Sequence, residues 1–99
     1  MMNVEVRLRR IAKAEYAEAV AWYEECQRGL GVRFASAVAE KLLDIAEQPD
    51  RYPEVWPGTR EALVTKWPYC IYYQVHDDHV MVIAVFHTSR DPHTWQSRA

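Results

Sequence analysis

Residues 69–87 read YCIYYQVHDDHVMVIAVFH, and this stretch decides the fold. Two runs rich in aromatic and β-branched residues, 69–76 and 79–87, flank two aspartates at 77–78, a pair typical of a tight turn between antiparallel strands. Residues 80–86 are apolar without interruption, as expected of a strand that is covered on both faces. We therefore predict a β-hairpin whose second strand is buried.

Further strands are predicted on the N-terminal side of this hairpin. Residues 60–66 form the nearest one, and a loop rich in proline, residues 49–58, precedes it. At the start of the chain, Val4, Val6 and Leu8 alternate with charged residues, which is the pattern of a half-buried strand.

Two amphipathic helices are predicted between the first strand and the proline-rich loop. Residues 11–28 and 32–48 carry apolar side chains at helical spacing and contain neither glycine nor proline. Gly29 and Gly31 separate them, and either glycine could adopt the left-handed conformation that ends a helix. So short a connection predicts an antiparallel helical hairpin.

The predicted order is β-α-α-β-β-β, an α+β fold in which the helical hairpin packs on one face of a small, mainly antiparallel sheet. The opposite sheet face then lacks helical cover, and we expect an exposed apolar surface there that binds a partner. Asp91-Pro92 predicts a short helical turn at the end of the chain. Residues 1–99 are few enough to be interpreted as a single domain.

Composition argues against several classes of function. The 99 residues are 49% hydrophobic and carry 12 basic against 14 acidic side chains, a balance that does not favour gripping nucleic acid through its phosphates. No apolar run of 18 residues is present, so we expect a cytoplasmic protein without membrane contact, with Cys26 and Cys70 reduced. Neither a phosphate-binding glycine loop nor zinc-ligand spacing occurs, so no cofactor and no metal are expected.

Candidate catalytic side chains follow the last predicted strand. His87, Arg90 and His93 could perform acid–base chemistry on RNA, because histidine titrates near neutral pH and arginine can hold a phosphate. One histidine would take the 2′-hydroxyl proton while arginine stabilises the phosphorane. In the structural alternative, His87 packs at the strand end, and Arg90 pairs with Asp91 or caps backbone carbonyl groups.

Other candidates belong to partner binding. Arg60 opens a strand, where it could contact an acidic partner or a phosphate, or form a salt bridge with Glu54 or Glu61. Tyr72 is expected on the strand face away from the helices, where it could stack on a base or contact a partner helix. Trp95 is suited to edge packing or to a partner contact. The candidate partner-binding residues are Tyr72, Arg60, Arg90 and Trp95.

The chain resembles the RelE/ParE superfamily of toxins from bacterial type II toxin–antitoxin (plasmid stabilisation) systems. The resemblance covers nearly the whole chain, and the order and spacing of its parts are specific for the superfamily. The residues that carry it are Trp22-Tyr23, Gly29-Leu30-Gly31 with Phe34, Pro49, Tyr52-Pro53, Arg60, Pro68-Tyr69, Tyr73, His87-Thr88-Ser89-Arg90-Asp91-Pro92 and Trp95.

This resemblance implies a growth-inhibiting toxin and a cognate antitoxin that lays an amphipathic helix or strand on it. The two proteins could assemble as a heterotetramer. Superfamily members divide by target: RelE-like toxins cut mRNA in the ribosomal A site, whereas ParE-like toxins inhibit DNA gyrase.

Departures from the RelE-like pattern favour the ParE-like function. RelE-like enzymes carry an arginine where this chain has Cys70, lysines where it has residues 61–63, and a basic residue near Thr88. Without these cations the charge of a phosphorane would be poorly offset. We therefore expect binding rather than catalysis, with DNA gyrase as the target.

Two alternatives stay open at this point. The chain could be a ribosome-dependent mRNA endoribonuclease that uses His87 with Arg60 and Arg90, in which case the ribosome and its mRNA are the target. It could also be a module that binds its partner and is not toxic.

Overall fold

The structure is a computed structural model that describes residues 3–99; residues 1–2 of the expected domain lie outside the described part. The elements are β1 (Glu5–Leu8), α1 (Arg10–Cys26), α2 (Leu30–Glu47), β2 (Glu54–Trp56), β3 (Thr59–Leu63), β4 (Tyr69–Val75), β5 (His79–His87) and α3 (His93–Gln96). The predicted α+β fold is confirmed. It contains one strand more than predicted, because the proline-rich stretch includes the short β2.

Five strands form one sheet in the order β1-β5-β4-β3-β2. β1 runs parallel to β5, and every other neighbouring pair is antiparallel. β5 has the predicted bounds, because its apolar run is uninterrupted. β3 ends before its predicted limit, because the chain turns at Lys66, which has a φ of 73°.

The main core lies between the helical hairpin and one face of the sheet. Its aromatic centre is formed by Tyr23 and Phe34, whose ring centroids are 5.0 Å apart. Trp67 contacts both rings, at 4.8 and 5.1 Å. Such pairs contribute about 0.5–1.5 kcal/mol each beyond the area they bury, and here they fix both helices to the β3–β4 turn. Other buried residues of this core are Ala12, Ala19, Val38, Ile45, Ala62, Val64, Ile71, Tyr73, Val80, Val82 and Val85.

The two glycines between the helices have different roles. Gly29 precedes α2 with a φ of 88°, the left-handed conformation expected of one of them. Gly31 lies where the helices touch, since a Cβ atom there would be 2.6 Å from the carbonyl oxygen of Val20. The Glu24 carboxylate accepts the N–H groups of Gly29 and Gly31 at 3.0 and 3.1 Å, which satisfies donors at the start of α2.

A β-bulge in β5 changes which side chains face the helices. Tyr73 pairs with Val82 and Tyr72 pairs with Ala84, so Ile83 is an extra residue opposite β4. Val82 packs in the helix-side core, whereas Ile83 and Ala84 both lie on the other face of the sheet. The bulge follows Val82 directly, and Val82 is the last residue of β5 that pairs with β1.

The expectation that the second sheet face lacks cover is wrong. After β5 the chain returns across this face, and the ring of Trp95 stacks on Tyr72 with centroids 3.9 Å apart. Asp91 begins the predicted helical turn by accepting the N–H of His93 at 3.0 Å. The cluster beneath this turn comprises Cys70, Tyr72, Ile83, Ala84, Phe86 and Trp95. The turn was expected, but its length gave no sign that it would cover the sheet.

Replacing Gly31 with alanine should destabilise the fold by about 1–3 kcal/mol, because the added methyl group would overlap the Val20 backbone and push the helices apart. Urea unfolding followed by circular dichroism measures the change. Ser36→Ala, at an exposed position of α2, is the matched control and should stay within about 0.5 kcal/mol of the wild type. Equal stabilities for the two variants would contradict the close helix contact.

Candidate functional site

A cleft of about 270 Å³ opens between α1 and the end of β5. It contains two of the predicted site residues, His87 and Arg90, beside the aromatic rings of Trp22 and Tyr69. The remaining lining residues are Glu15, Glu18, Ala19 and Val85. His87 and Arg90, which the sequence analysis grouped together, therefore lie in the same cleft.

Glu15 on α1 is the most heavily bonded side chain of the cleft, and it is only 9% exposed. The Arg98 guanidinium binds both carboxylate oxygens, each at 2.9 Å. Arg90 Nη1 lies 3.3 Å from Oε2, and the backbone N–H of Val85 donates to Oε1 at 3.1 Å. A carboxylate with so little contact with water requires such compensation, and the bidentate pair with Arg98 is its strongest form.

Glu15 and Arg98 also satisfy backbone groups on the outer edge of β5, beyond the end of its pairing with β1. β1 pairs with β5 only as far as Val82. Beyond that point, Arg98 Nη1 donates to the carbonyl oxygen of Ile83 at 3.1 Å, and Glu15 accepts the N–H of Val85. Two side chains from α1 and the C-terminal tail thus close the outer edge of the strand.

His87 is packed at the end of β5, as the structural alternative expected. Its ring lies edge-on to Tyr69 with centroids 5.1 Å apart. Its Nδ1 accepts the backbone N–H of Ser89 at 3.0 Å and lies 2.8 Å from the Ser89 hydroxyl oxygen. Because Nδ1 is the acceptor, the neutral ring carries its proton on Nε2. Nε2 could act as a base only if the ring gave up its contact with the Ser89 N–H.

Arg90 pairs with Glu15, so the expected pair with Asp91 is wrong. The carboxylate of Asp91 is engaged by His93 instead, at 3.0 Å from its Nδ1. The Arg90 guanidinium lies 4.3 Å above the ring of Phe86, and its side chain is 48% exposed. His93 is exposed and does not line the cleft, so the trio of His87, Arg90 and His93 is not assembled there.

Arg60 lies at a distance from this cleft. Arg60 is the strand partner of Tyr73, whereas His87 is the partner of Tyr69. Residues 69 to 73 of an extended strand span roughly 13 Å, at about 3.3 Å per residue. Arg60 and His87 therefore cannot act on the same phosphate in this arrangement.

The guanidinium of Arg60 holds the loop that follows α2. It donates to the carbonyl oxygen of Tyr52 at 2.6 Å and to that of Asp50 at 3.2 Å, and it lies 3.7 Å from the Asp50 carboxylate. The expected salt bridge with Glu54 or Glu61 is wrong, because these loop carbonyl groups are its partners.

Tyr72 and Trp95 are both buried, on the face that the C-terminal turn covers. The Tyr72 hydroxyl donates to Glu61 Oε2 at 2.7 Å, and burial together with this bond raises the pKa of Tyr72. Trp56 packs edge-on against Trp95, whose indole Nε1 is buried and has no hydrogen-bond partner among residues 3–99. Contact of Tyr72 and Trp95 with a partner stays a prediction, and it would require α3 to move.

Sequence reasoning missed Glu15 and Arg98. Glu15 carried a usable signal, because it lies three residues after Ala12 and four before Ala19, on the buried stripe of α1. A charged residue on a buried stripe requires a partner. Arg98 gave no comparable signal, since it belongs to no periodic pattern.

Among residues 3–99, no three His, Cys, Asp or Glu side chains are grouped so that they could hold a metal ion. Over the same residues, no helix combines the length and the apolar character needed to cross a membrane.

Glu15→Gln should destabilise the protein by about 3 kcal/mol, because it leaves the poorly exposed Arg98 guanidinium without a counter-ion while keeping an acceptor for Val85. Chemical unfolding at pH 7 measures the loss. Arg7→Gln breaks the exposed Glu5–Arg7 pair and should leave the unfolding midpoint unchanged. An equally small effect of both substitutions would show that Glu15 contributes little to the fold.

The two thiols should differ sharply in reactivity. Burial raises the pKa of Cys70 to about 11, so its thiol stays protonated at pH 8, and the thiolate is the reactive form. Cys26 is exposed. Iodoacetamide at pH 8 should therefore label the native protein once, and label it twice in urea, as counted by mass spectrometry. A Cys26→Ser variant that is still labelled in the native state would contradict this burial.

Comparison with known proteins agrees with this architecture. The family described as "ParE toxin of type II toxin-antitoxin system, parDE" matches residues 6–92. A solved structure described as "Chromosomal ParDE TA system from P. aeruginosa" is similar with a TM-score of 0.77 and 13% identity, over 87% of this chain and 97% of that chain; at this identity the likeness concerns the fold. No curated protein sequence matches. Since the family match spans most of the chain, the protein belongs to the ParE toxin family of type II toxin–antitoxin systems, within the RelE/ParE superfamily.

Proposed function

We propose that this toxin arrests growth by binding DNA gyrase, and that a cognate antitoxin neutralises it until the antitoxin is degraded. The observation that carries the proposal is the dispersal of the candidate catalytic groups. Arg60 holds the loop after α2, Arg90 pairs with Glu15, and the Nδ1 atom of His87 is engaged by Ser89.

Cleavage of RNA without a metal would need these groups together. An acid, a base and at least one cation must lie within hydrogen-bond reach of the reacting phosphate. Arg60 is roughly 13 Å along the sheet from His87, and the carboxylates of Glu15 and Glu18 line the cleft and would repel a phosphate. A binding function requires no such convergence, which favours gyrase inhibition.

A groove on the outer side of the helical hairpin suits an antitoxin helix. It has a volume of about 560 Å³, and small apolar side chains of both helices form most of it. Lys13 and Glu24 lie at its two ends, so an amphipathic helix with opposite charges at its ends would fit. The remaining lining residues are Tyr16, Ala17, Val20, Ala21 and Ala35. This groove replaces the far sheet face as our expected antitoxin site, and pairs of such complexes could form a heterotetramer.

One observation favours the alternative, a ribosome-dependent endoribonuclease. His87, Arg90 and Tyr69 share one cleft, so a partial catalytic set is present. A base that contributes to RNA cleavage is typically worth 10²- to 10⁴-fold in rate. The two functions therefore predict different consequences of replacing His87.

After induction of this chain in bacteria, pulse-labelling should show that DNA synthesis stops before protein synthesis. His87→Gln, which preserves size and a hydrogen-bond donor, should retain toxicity within about threefold, because no proton transfer depends on it. Early arrest of protein synthesis, together with loss of toxicity in His87→Gln, would establish the endoribonuclease instead. Absence of any growth arrest would favour the non-toxic module.

A further inference from the structure

The C-terminal turn covers only part of the second sheet face. The cluster beneath the turn takes all its members other than Trp95 from β4 and β5. At the end of the face formed by β2 and β3, Trp56 is 41% exposed and Leu63 is 54% exposed. Trp56 lies beside the covered cluster, because its ring packs edge-on against Trp95 with centroids 6.3 Å apart. Two large apolar side chains therefore remain in contact with water next to the turn.

Strand register places Glu61 and Leu63 on this same face. Glu61 pairs with Tyr72 and Leu63 pairs with Cys70, and both partners belong to the covered cluster. Residues directly opposite each other in an antiparallel pair project to the same side of the sheet. A carboxylate and an exposed leucine thus continue the face that Trp56 begins.

We call Trp56, Glu61 and Leu63 the β2–β3 strip. Trp56 is the strand partner of Thr59 at the start of β3. Residues 59 to 63 of an extended strand span roughly 13 Å, at about 3.3 Å per residue. Glu61 therefore lies between the two exposed apolar side chains.

The Glu61 carboxylate has no counter-ion within the described residues 3–99. Its Oε2 accepts the Tyr72 hydroxyl at 2.7 Å, but no Lys, Arg or His nitrogen of these residues lies within 4 Å of either oxygen. Glu61 is only partly exposed. A carboxylate flanked by apolar side chains is stabilised by a cation, so the strip is complementary to a partner that supplies one.

We propose that the β2–β3 strip is the surface with which this toxin contacts DNA gyrase, and that it takes a basic side chain of gyrase flanked by apolar ones. The inference rests on the proposed function and names the surface which that function uses. Tryptophan is among the residues that most often dominate the binding energy of a protein interface. Trp56 and Leu63 would shield the pair between Glu61 and the incoming cation from water, which strengthens it.

The strip is separate from the groove proposed for the antitoxin. That groove is formed by α1 and α2, which pack on the opposite face of the sheet. Substitutions in the strip should therefore affect the contact with gyrase and leave the contact with the antitoxin intact.

The test is inhibition of purified DNA gyrase, with supercoiling measured against toxin concentration. Leu63→Arg replaces an apolar contact with a cation and should raise the concentration for half-inhibition at least about tenfold. Leu43→Arg is the matched control, because Leu43 is 58% exposed on α2, and it should inhibit as the wild type does. Circular dichroism establishes that each variant is folded.

Removal of the charge alone tests the pairing with a cation. Glu61→Gln keeps an acceptor for the Tyr72 hydroxyl and should weaken inhibition about tenfold, because the gyrase cation loses its partner. Glu47→Gln removes an exposed carboxylate at the end of α2 and should leave inhibition unchanged.

Hydroxyl-radical footprinting of the wild-type chain locates the contact without any substitution. Gyrase should protect the Trp56 side chain from oxidation. Trp22, which is exposed on α1, should be oxidised as it is in the free chain.

Wild-type inhibition by Leu63→Arg, or protection of Trp22 instead of Trp56, would overturn this surface while gyrase inhibition stands. If Leu63→Arg inhibits gyrase normally but no longer binds the purified product of the adjoining reading frame, the strip belongs to the antitoxin. If it inhibits normally but dissociates a toxin dimer seen by sedimentation, the strip belongs to a second copy. Failure of the wild-type chain to inhibit gyrase would overturn the proposed function and this inference together.

Discussion

The C-terminal half of the structure depends on the mostly buried carboxylate of Glu15. It binds Arg98 through both oxygens, so the tail is fixed to α1 and α3 is held across the second sheet face. It also takes the N–H of Val85, where the β-bulge has carried β5 past the end of β1. The same carboxylate also pairs with Arg90 at the cleft. Because a buried charge without partners is costly, these arrangements stabilise one another.

Most of the fold could be predicted from the sequence, because its periodic patterns are strong. The uninterrupted apolar run gave β5 its bounds, and helical spacing gave α1 and α2 to within two residues at each end. β2 was missed because three exposed residues between prolines show no alternation. The cover over Tyr72 was missed because it depends on a single tryptophan and on a distant ion pair between Glu15 and Arg98.

The candidate site was only partly predictable. His87 and Arg90 are near in sequence, so their shared cleft could be expected from the chain itself. The separation of Arg60 from His87 follows from strand register, which the sequence pattern alone did not define. Arg60 and Arg90 also make structural contacts. Arg60 donates to the carbonyl oxygen of Tyr52, and Arg90 pairs with the Glu15 carboxylate. The cleft is consequently poorly suited to offsetting the charge of a reacting phosphate.

We propose that this toxin acts by binding its target and not by catalysis. Adding the purified chain to DNA gyrase and, in parallel, to ribosomes programmed with mRNA distinguishes the two. Binding predicts loss of gyrase supercoiling at near-stoichiometric toxin, with the mRNA left intact. Cuts at codons in the ribosomal A site, with gyrase fully active, would contradict it.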